Sequence, residues 1–254
     1  MFDAKTVAGQ IVAWITDYFR YNGTPDTKAV IGISGGKDSS VVAALCVRAL
    51  GREHVFGVLM PNGVQHDIGV AYRLCQALDN QYAEININGP VQGIYSGIAG
   101  TGMALNDIAR FNTPARVRMS ILYAVSGVIG GRVANTSNLS EDWVGYATKF
   151  GDSAGDFSPL SDLTVSEVKA VGRELGLAPE FIDKTPIDGL CGKTDEDNLG
   201  FTYATLDRYI REGVCEDAII RERIDCLYKI SRHKVTPMPA FKLLKSPLTP
   251  QTQP

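Results

Sequence analysis

An apolar run that ends in two glycines constrains the fold of this chain more than any other feature. Residues 29–33 (AVIGI) predict a buried strand, and residues 34–36 (SGG) predict a tight turn. Apolar residues at helical spacing over residues 41–50 then predict a helix. Such a junction directs free backbone N–H groups and the positive end of a helix dipole at one point, which favours binding of a phosphate.

The turn differs from a Walker A loop, which has a glycine, four further residues and then Gly-Lys-Ser/Thr. Gly36 and Lys37 fit that pattern, but Asp38 holds the hydroxyl position and Ile31 holds the first glycine position. An acidic side chain beside a phosphate is unfavourable unless a cation lies between them. The sequence therefore predicts Mg²⁺ between Asp38 and phosphate oxygens.

Strand and helix patterns alternate in the first part of the chain. Strands are predicted over residues 28–33, 54–60 and 82–87, with helices over residues 39–50 and 68–78 between them. This alternation predicts an α/β fold with a parallel sheet and helices on both faces. Ligands of such sheets bind at the carboxyl ends of the strands, where the glycine turn lies.

The second half of the chain predicts mostly helix. Thr113 followed by Pro114 predicts the N-cap and first residue of a helix that ends at Gly130. Thr164 and Glu167 have the spacing of a capping box at the start of another helix. The other predictions are a short strand over residues 132–136, a polar loop over residues 137–162, and helices over residues 197–212 and 216–231.

Length and composition indicate one globular domain, since the 254 residues are 44% hydrophobic and 21% charged. We predict a domain over residues 1–235 with a helical C-terminal part, and a proline-rich tail over residues 236–254. The net charge of −3 provides no basic field for nucleic acid. No apolar run reaches the roughly 18 residues of a membrane span. The five cysteines form no CxxC pair and no signal peptide is evident, which predicts a cytoplasmic protein.

The glycine turn and several later segments together resemble one enzyme family. The turn reads SGGKDS, similar to the SGGxDS signature of the N-type ATP pyrophosphatases. Residues 112–123 read NTPARVRMSILY, residues 135–156 read NTSNLSEDWVGYATKFGDSAGD, and residues 231–234 read SRHK. In this order and spacing they resemble the ammonia-dependent NAD synthetases. The resemblance implies a Rossmann-like sheet of the adenine nucleotide alpha hydrolase-like kind.

The resemblance also implies a reaction. The carboxylate of deamido-NAD would react with ATP, the co-substrate, to give an acyl-adenylate and pyrophosphate, with Mg²⁺ as cofactor. Ammonia would then displace AMP and leave NAD. Glutamine-using relatives carry an additional nitrilase-like domain, for which this chain has no room, so we expect free ammonia or a partner protein as the source. We also expect a homodimer.

Site residues follow from the motifs that match. Asp38 and Glu141 would be the metal ligands, and Asp152 would bind ammonium and help to deprotonate it, so these three are the candidate catalytic residues. ATP binding is assigned to Gly32, Ile33, Ser34, Gly35, Gly36, Lys37, Asp38, Ser39 and Thr136. Binding of deamido-NAD is assigned to Arg116, Lys149, Asp156, His233 and Lys234. The residues alone also allow an interpretation without substrate binding. Arg116 and Arg118 could lie on a solvated helix face, and His233 could interact with the dipole at the end of a helix.

The chain departs from the family pattern at positions that bear on ATP. Val165 replaces a lysine that contacts ATP in the family, and Ile187 replaces a hydroxyl residue with the same role. We expect weaker ATP binding unless Lys193 or Thr185 compensates. Asn135 and the pair Ser153 and Ala154 replace glycines of the family.

Two other functions remain open at this point. One is a different ligase of the same superfamily. The other is a nucleotide-binding regulatory module without catalysis, which only Val165 and Ile187 favour. The presence of both Asp38 and Glu141 argues against the module, since simple binding does not require two metal carboxylates.

Overall fold

The structure is a computed structural model that describes residues 2–184 and 194–241. The strands are β1 (Lys28–Gly32), β2 (Val55–Leu59), β3 (Gln81–Glu84) and β4 (Gly131–Val133). The helices are α1 (Ala4–Asn22), α2 (Lys37–Leu50), α3 (Ile68–Leu78), α4 (Asn88–Ala99), α5 (Asp107–Ile129), α6 (Leu139–Val144), α7 (Val165–Glu174), α8 (Pro179–Ile182), α9 (Asp195–Leu199), α10 (Tyr203–Glu212) and α11 (Ala218–Val235). None of these helices is long and apolar enough to cross a membrane.

The strands form one parallel sheet in the order β3-β2-β1-β4. In its centre, Val30 of β1 pairs with Phe56 of β2 and with Val133 of β4. The chain proceeds outward from β1 through β2 to β3 and then crosses back to place β4 on the other side of β1. This reversal leaves a crevice beyond the carboxyl ends of β1 and β4, which is where parallel sheets bind ligands.

Helices cover both faces of the sheet, which confirms the predicted α/β fold. Alternate residues of β1 face opposite layers, as the two-residue period of a strand requires. Ala29 and Ile31 pack in one core with α1, α2, α3 and α7. Val30 packs in a second core with Val58 of β2 and with α4 and α5. Because both faces are buried, the central strand is apolar from Ala29 to Ile31.

The prediction that a helix begins at Pro114 is wrong. α5 begins at Asp107 after the N-cap Asn106, and Pro114 lies inside the helix. Proline has no N–H to bond the carbonyl four residues earlier, that of Arg110. The hydroxyl of Tyr95 on α4 donates to this carbonyl instead, at 2.9 Å. A contact between two helices therefore supplies the donor that proline lacks.

Two other local predictions differ from the structure. The polar segment over residues 137–162, predicted as a loop, contains the short helix α6. The helix predicted over residues 197–212 is divided into α9 and α10 at Gly200, whose φ is 80°. Glycine adopts this left-handed conformation without steric cost and commonly ends helices.

The helices after residue 194 confirm the predicted helical C-terminal part. α10 and α11 pack against α6, and α10 also packs against α7. The centre of this third apolar cluster includes Leu206 and Ile224, both fully buried. The cluster fixes α6, which carries Glu141, to the rest of the molecule.

Gly145 lies where α6 meets α11 and supports a first prediction. Its φ is 65°, and a Cβ built on it would lie 2.1 Å from the Cβ of Ser231. We expect Gly145→Ala to lower the free energy of unfolding by about 2–4 kcal/mol, because α11 must move and the backbone is strained. Urea denaturation measures this change.

Gly213→Ala is the matched control. Gly213 also has a positive φ, 71°, but a Cβ there would meet nothing within 4 Å. Gly213→Ala should lower the free energy of unfolding only by the backbone strain, about 1 kcal/mol. Equal losses in the two variants would contradict the steric explanation.

Candidate active site

A cavity of 410 Å³ opens at the crevice between β1 and β4. Residues 32–34 line one side of it and residues 134–136 line the other. The rest of the lining is Met60, Gln65, Ala115, Arg118, Met119, Leu122, Asp152 and Ala154. The fold therefore brings Thr136 and Asp152 next to the start of the glycine turn. A cavity of this size is typical of small-molecule sites.

The glycine turn is a candidate anion cradle. Gly35 has a φ of 76°, and a Cβ there would lie 3.0 Å from the backbone nitrogen of Ala71, so the turn requires glycine. The N–H of Gly36 donates to Ser34 Oγ at 3.2 Å, and the hydroxyls of Ser34 and Ser39 are 3.1 Å apart. α2 then begins without a side-chain cap. Free N–H groups in its first turn, such as that of Asp38, can bind a phosphate.

Beside this cradle, two carboxylates share one buried ammonium. Lys37 Nζ is 2.8 Å from Asp38 Oδ2 and 3.3 Å from Glu141 Oε1. Lys37 is only 4% exposed, although lysine is rarely buried without partners. The structure thus brings the two predicted metal ligands together from α2 and α6.

Asn138 connects these two carboxylates and was not predicted from the sequence. Its Nδ2 donates to Asp38 Oδ1 at 3.0 Å, and its Oδ1 accepts from the N–H of Glu141 at 3.1 Å. Asn138 is fully buried and is also the N-cap of α6. A residue with both roles fixes Glu141 relative to Asp38.

The electrostatics of the carboxylates of Asp38 and Glu141 are compatible with a divalent cation. Burial and the charge of Asp38 raise the pKa of Glu141, and the charge of Lys37 opposes this shift. Burial lowers the pKa of Lys37, but the charges of Asp38 and Glu141 outweigh it and raise that pKa overall. A positive charge is therefore already stabilised between the carboxylates. Among residues 2–184 and 194–241 no group of three metal-ligating side chains exists, so Mg²⁺ here would take its other ligands from phosphate and water.

Asp152 faces the cavity from the loop that follows α6. Its Oδ1 accepts from the N–H of Thr148 at 2.7 Å, and burial raises its pKa, which makes the carboxylate a stronger base. Asn135 holds this loop against β4, since its Nδ2 donates to the carbonyls of Asp152 (2.8 Å) and Ala154 (3.1 Å). The replacement of a family glycine by Asn135 therefore has a structural role.

Arg118 does not lie on the solvated helix face that the sequence allowed. It lines the cavity, and its Nε donates to the carbonyl of Met60 at 3.1 Å. The signal was present, because Arg118 lies in the ARVRM segment. Its direction is not visible in the sequence, because it depends on a contact with Met60, 58 residues away.

Four predicted substrate residues form a contiguous basic group. Arg116 Nε donates to the carbonyl of Lys149 at 3.2 Å, and Lys149 Nζ donates to the carbonyl of His233 at 2.5 Å. Lys234 Nζ donates to the carbonyl of Gly145 at 2.7 Å. We call Arg116, Lys149, His233 and Lys234 the basic group.

Asp156, the fifth residue assigned to the substrate, has different contacts. Its carboxylate accepts from the N–H of Val133 at 2.7 Å and from the hydroxyl of Tyr123 at 3.2 Å. Within the described ranges it makes no hydrogen bond or ion pair with the basic group. These bonds anchor the loop after Asp152 to β4.

The structure describes only one of the two positions, 165 and 187, at which the chain departs from the ATP-binding pattern of the family. Val165 is buried in the third apolar cluster, among residues such as Tyr203. Ile187 and the two residues proposed to compensate, Thr185 and Lys193, lie outside the described residues. The predicted weakening of ATP binding therefore stays a prediction.

Known proteins match this chain over most of its length. A family model of NAD synthase matches residues 7–239. The chain belongs to the NAD synthase family. It is 38% identical to the NH(3)-dependent NAD(+) synthetase of Thermococcus sibiricus, over 81% of this chain and 85% of that one. The family membership predicted from the motifs is confirmed.

Two solved structures are also similar to this chain. The NMN synthetase of Francisella tularensis superposes with a TM-score of 0.86 at 32% identity, covering 96% of this chain and 100% of that one. The NH3-dependent NAD synthetase of Campylobacter jejuni superposes with a TM-score of 0.76 at 29% identity, covering 95% and 100%. These likenesses confirm the predicted fold.

Proposed function

We propose that this protein is an ATP-dependent ligase that converts the carboxylate of deamido-NAD into the amide of NAD. Ammonia supplies the nitrogen, and AMP and pyrophosphate are released. The observation that carries the proposal is the pair of Asp38 and Glu141 beside a glycine turn with free helix N–H groups. Membership of the NAD synthase family supports the choice of acceptor.

In the first step an oxygen of the acceptor carboxylate attacks the α-phosphorus of ATP. The bond from that phosphorus to the bridging oxygen breaks, so pyrophosphate leaves and an acyl-adenylate remains. Asp38 and Glu141 would hold Mg²⁺, which when bound neutralises the charge of the pyrophosphate. The N–H groups of the glycine turn bind phosphate oxygens, so this step depends on positioning and charge neutralisation.

In the second step ammonia attacks the acyl carbon and AMP leaves with the carbon–oxygen bond electrons. Most ammonia is protonated near neutral pH, so a base beside the acyl group increases the supply of nucleophile. Asp152 suits this role, since it lines the cavity and burial raises its pKa. The cavity would hold the adenosine of ATP, and the basic group would bind phosphates of the acceptor.

Release of AMP from ATP tests the proposal. With Mg²⁺ and ammonium present, we expect AMP only when deamido-NAD is added, in amounts equal to the NAD formed. AMP without deamido-NAD would indicate a different ligase of the superfamily. Binding of ATP without any AMP would indicate the regulatory module.

Amidation of the mononucleotide is a second candidate function. It is favoured by the superposition on NMN synthetase, whose TM-score of 0.86 exceeds the 0.76 of the Campylobacter NAD synthetase. Both reactions amidate the same pyridine carboxylate and differ in whether an AMP half is attached. Comparison of kcat/KM for nicotinic acid mononucleotide and deamido-NAD decides between them.

Asp152→Asn is expected to lower kcat/KM for ammonium by about 100-fold, because the amide cannot accept a proton. The KM for ATP should change little. Initial rates at limiting ammonium measure the effect. Asp162→Asn, on a carboxylate that is 94% exposed, is the control. An unchanged rate in Asp152→Asn would refute its role as a base.

We further propose that the protein is a homodimer with α5 at the interface. Apolar side chains on α5 are exposed to solvent, including Ile108 (70%), Phe111 (50%) and Val128 (86%). Burial of such a surface against a second copy is favourable. Sedimentation of the purified protein tests this, and a monomer at micromolar concentration would contradict it.

A further inference from the structure

A second cavity, of 190 Å³, lies on the other side of the glycine turn. Lys37 at the start of α2 lines it, together with Val165 and Lys169 of α7 and Lys184 after α8. Ser34, three residues before Lys37, lines the first cavity instead. The two cavities therefore lie at opposite ends of the segment from Ser34 to Lys37. A chain of phosphates that crossed the turn from the first cavity would end in the second.

Lys169 reaches this cavity because of its position on α7. It lies one helical turn after Val165, so the two residues share a helix face. Helix side chains point back toward the N-terminus, and a long side chain covers the turn that precedes it. The stem of Lys169 therefore lies beside Val165, which is only 6% exposed and carries no charge.

The three lysines of this cavity differ in their partners. Lys37 is bound by Asp38 and Glu141, and Lys184 forms an ion pair with Asp67. Lys169 makes no hydrogen bond in the part of the chain that the structure describes. Its Nζ lies 3.9 Å from Oδ1 of Asp183, which is a loose ion pair.

Asp183 does not depend on Lys169 for its partner. Arg173 donates to the same oxygen of Asp183 at 2.9 Å. Lys169 can therefore leave Asp183 without stranding that carboxylate. Its side chain is 35% exposed, so its ammonium can move to a ligand without a large cost of desolvation.

Acidic residues also line the cavity, which bears on the kind of ligand. The carboxylate of Glu196 accepts from the N–H of Tyr203 at 2.8 Å, and Asp195 accepts from the hydroxyl of Tyr203 at 3.4 Å. The carboxylates would repel a free anion, and the lysines would repel a free cation. A polyphosphate bound to a divalent cation carries both signs of charge and therefore suits this cavity.

We propose that Lys169 binds the terminal phosphates of ATP and the pyrophosphate that leaves. This inference rests on the proposed function, because it assigns the second cavity to the product of that reaction. It makes Lys169 the residue that provides the mobile positive charge on this side of the glycine turn.

The test is a titration of the full chain with Mg²⁺–pyrophosphate and, separately, with AMP, in the absence of any acceptor. Lys169→Met should raise the Kd for pyrophosphate about tenfold, which is typical of one charge-assisted hydrogen bond. The Kd for AMP should stay within about twofold, since AMP lacks the terminal phosphates. Lys169→Arg should keep most of the affinity for pyrophosphate.

Arg173→Met is the matched control, since it removes the other cation at Asp183 without a side chain in the cavity. It should leave both Kd values unchanged. An equal loss in Arg173→Met would assign the effect to Asp183, and an unchanged pyrophosphate affinity in Lys169→Met would overturn the proposal. If Lys169→Met loses pyrophosphate but the native protein forms no NAD, the proposed function fails while the role of Lys169 in binding stands.

Discussion

Asp38→Asn is expected to lower kcat about 1,000-fold at saturating substrates. Asparagine keeps the shape of the side chain but removes the negative charge that would hold Mg²⁺, and loss of one electrostatic contact in a buried active site costs on the order of 10²–10³ in rate. The bond from Asn138 Nδ2 to Oδ1, 3.0 Å in the native protein, can persist with the amide oxygen. Because Oδ2 also pairs with the buried Lys37 at 2.8 Å, the variant should lose some stability as well as the charge. Steady-state AMP formation measures it.

The control is Asp17→Asn, on a carboxylate that is 56% exposed and pairs with Arg20. Its rate should equal that of the native protein. Circular dichroism should show both variants folded. A rate for Asp38→Asn within tenfold of the native value would show that Asp38 holds no essential metal. Activity restored by higher Mg²⁺ would instead indicate a ligand that is weakened but replaceable.

Asp207→Ala is expected to lower the free energy of unfolding by about 3–5 kcal/mol. Asp207 is buried on α10 and accepts from Ser140 Oγ at 2.6 Å. It also accepts from both the N–H (2.8 Å) and the Oγ (2.5 Å) of Ser166. Alanine would leave three donors without this acceptor, and each buried donor that stays unpaired costs about 1–3 kcal/mol. Urea denaturation measures the loss.

The same variant should also affect the site, because Ser140 immediately precedes Glu141. Asp207→Asn retains one acceptor oxygen and should cost about half as much. Asp225→Ala removes an exposed carboxylate that accepts from the Tyr209 hydroxyl at 2.8 Å, and it should cost under about 1 kcal/mol. If Asp207→Ala and Asp225→Ala lowered the free energy of unfolding by similar amounts, burial of the Asp207 hydrogen bonds would not explain the loss.

Features encoded by neighbouring residues could be predicted from the sequence. The glycine turn is one, because strand, turn and helix follow directly in the chain. The capping box of Thr164 and Glu167 is another, and both of its hydrogen bonds are present in the structure. Family motifs also identified Glu141, although its distance from Lys37 is not visible in the sequence.

Features that depend on contacts between distant segments could not be predicted. The carbonyl that Pro114 leaves without a donor inside α5 accepts instead from Tyr95, which comes from another helix. The bridging role of Asn138 needs α6, which lies in a segment that reads as polar loop. Asp207 shows no signal at all in the sequence, since its partners lie 67 and 41 residues away.

The burial of Lys37 has a consequence for synthesis of the protein. Lys37 and Glu141 are 104 residues apart, so a nascent chain carries the lysine long before its second partner emerges from the ribosome. Until then Asp38 alone neutralises an ammonium that the finished fold buries almost completely. The first core, with α1, α2, α3 and α7, can therefore close fully around this position only after α6 has been made.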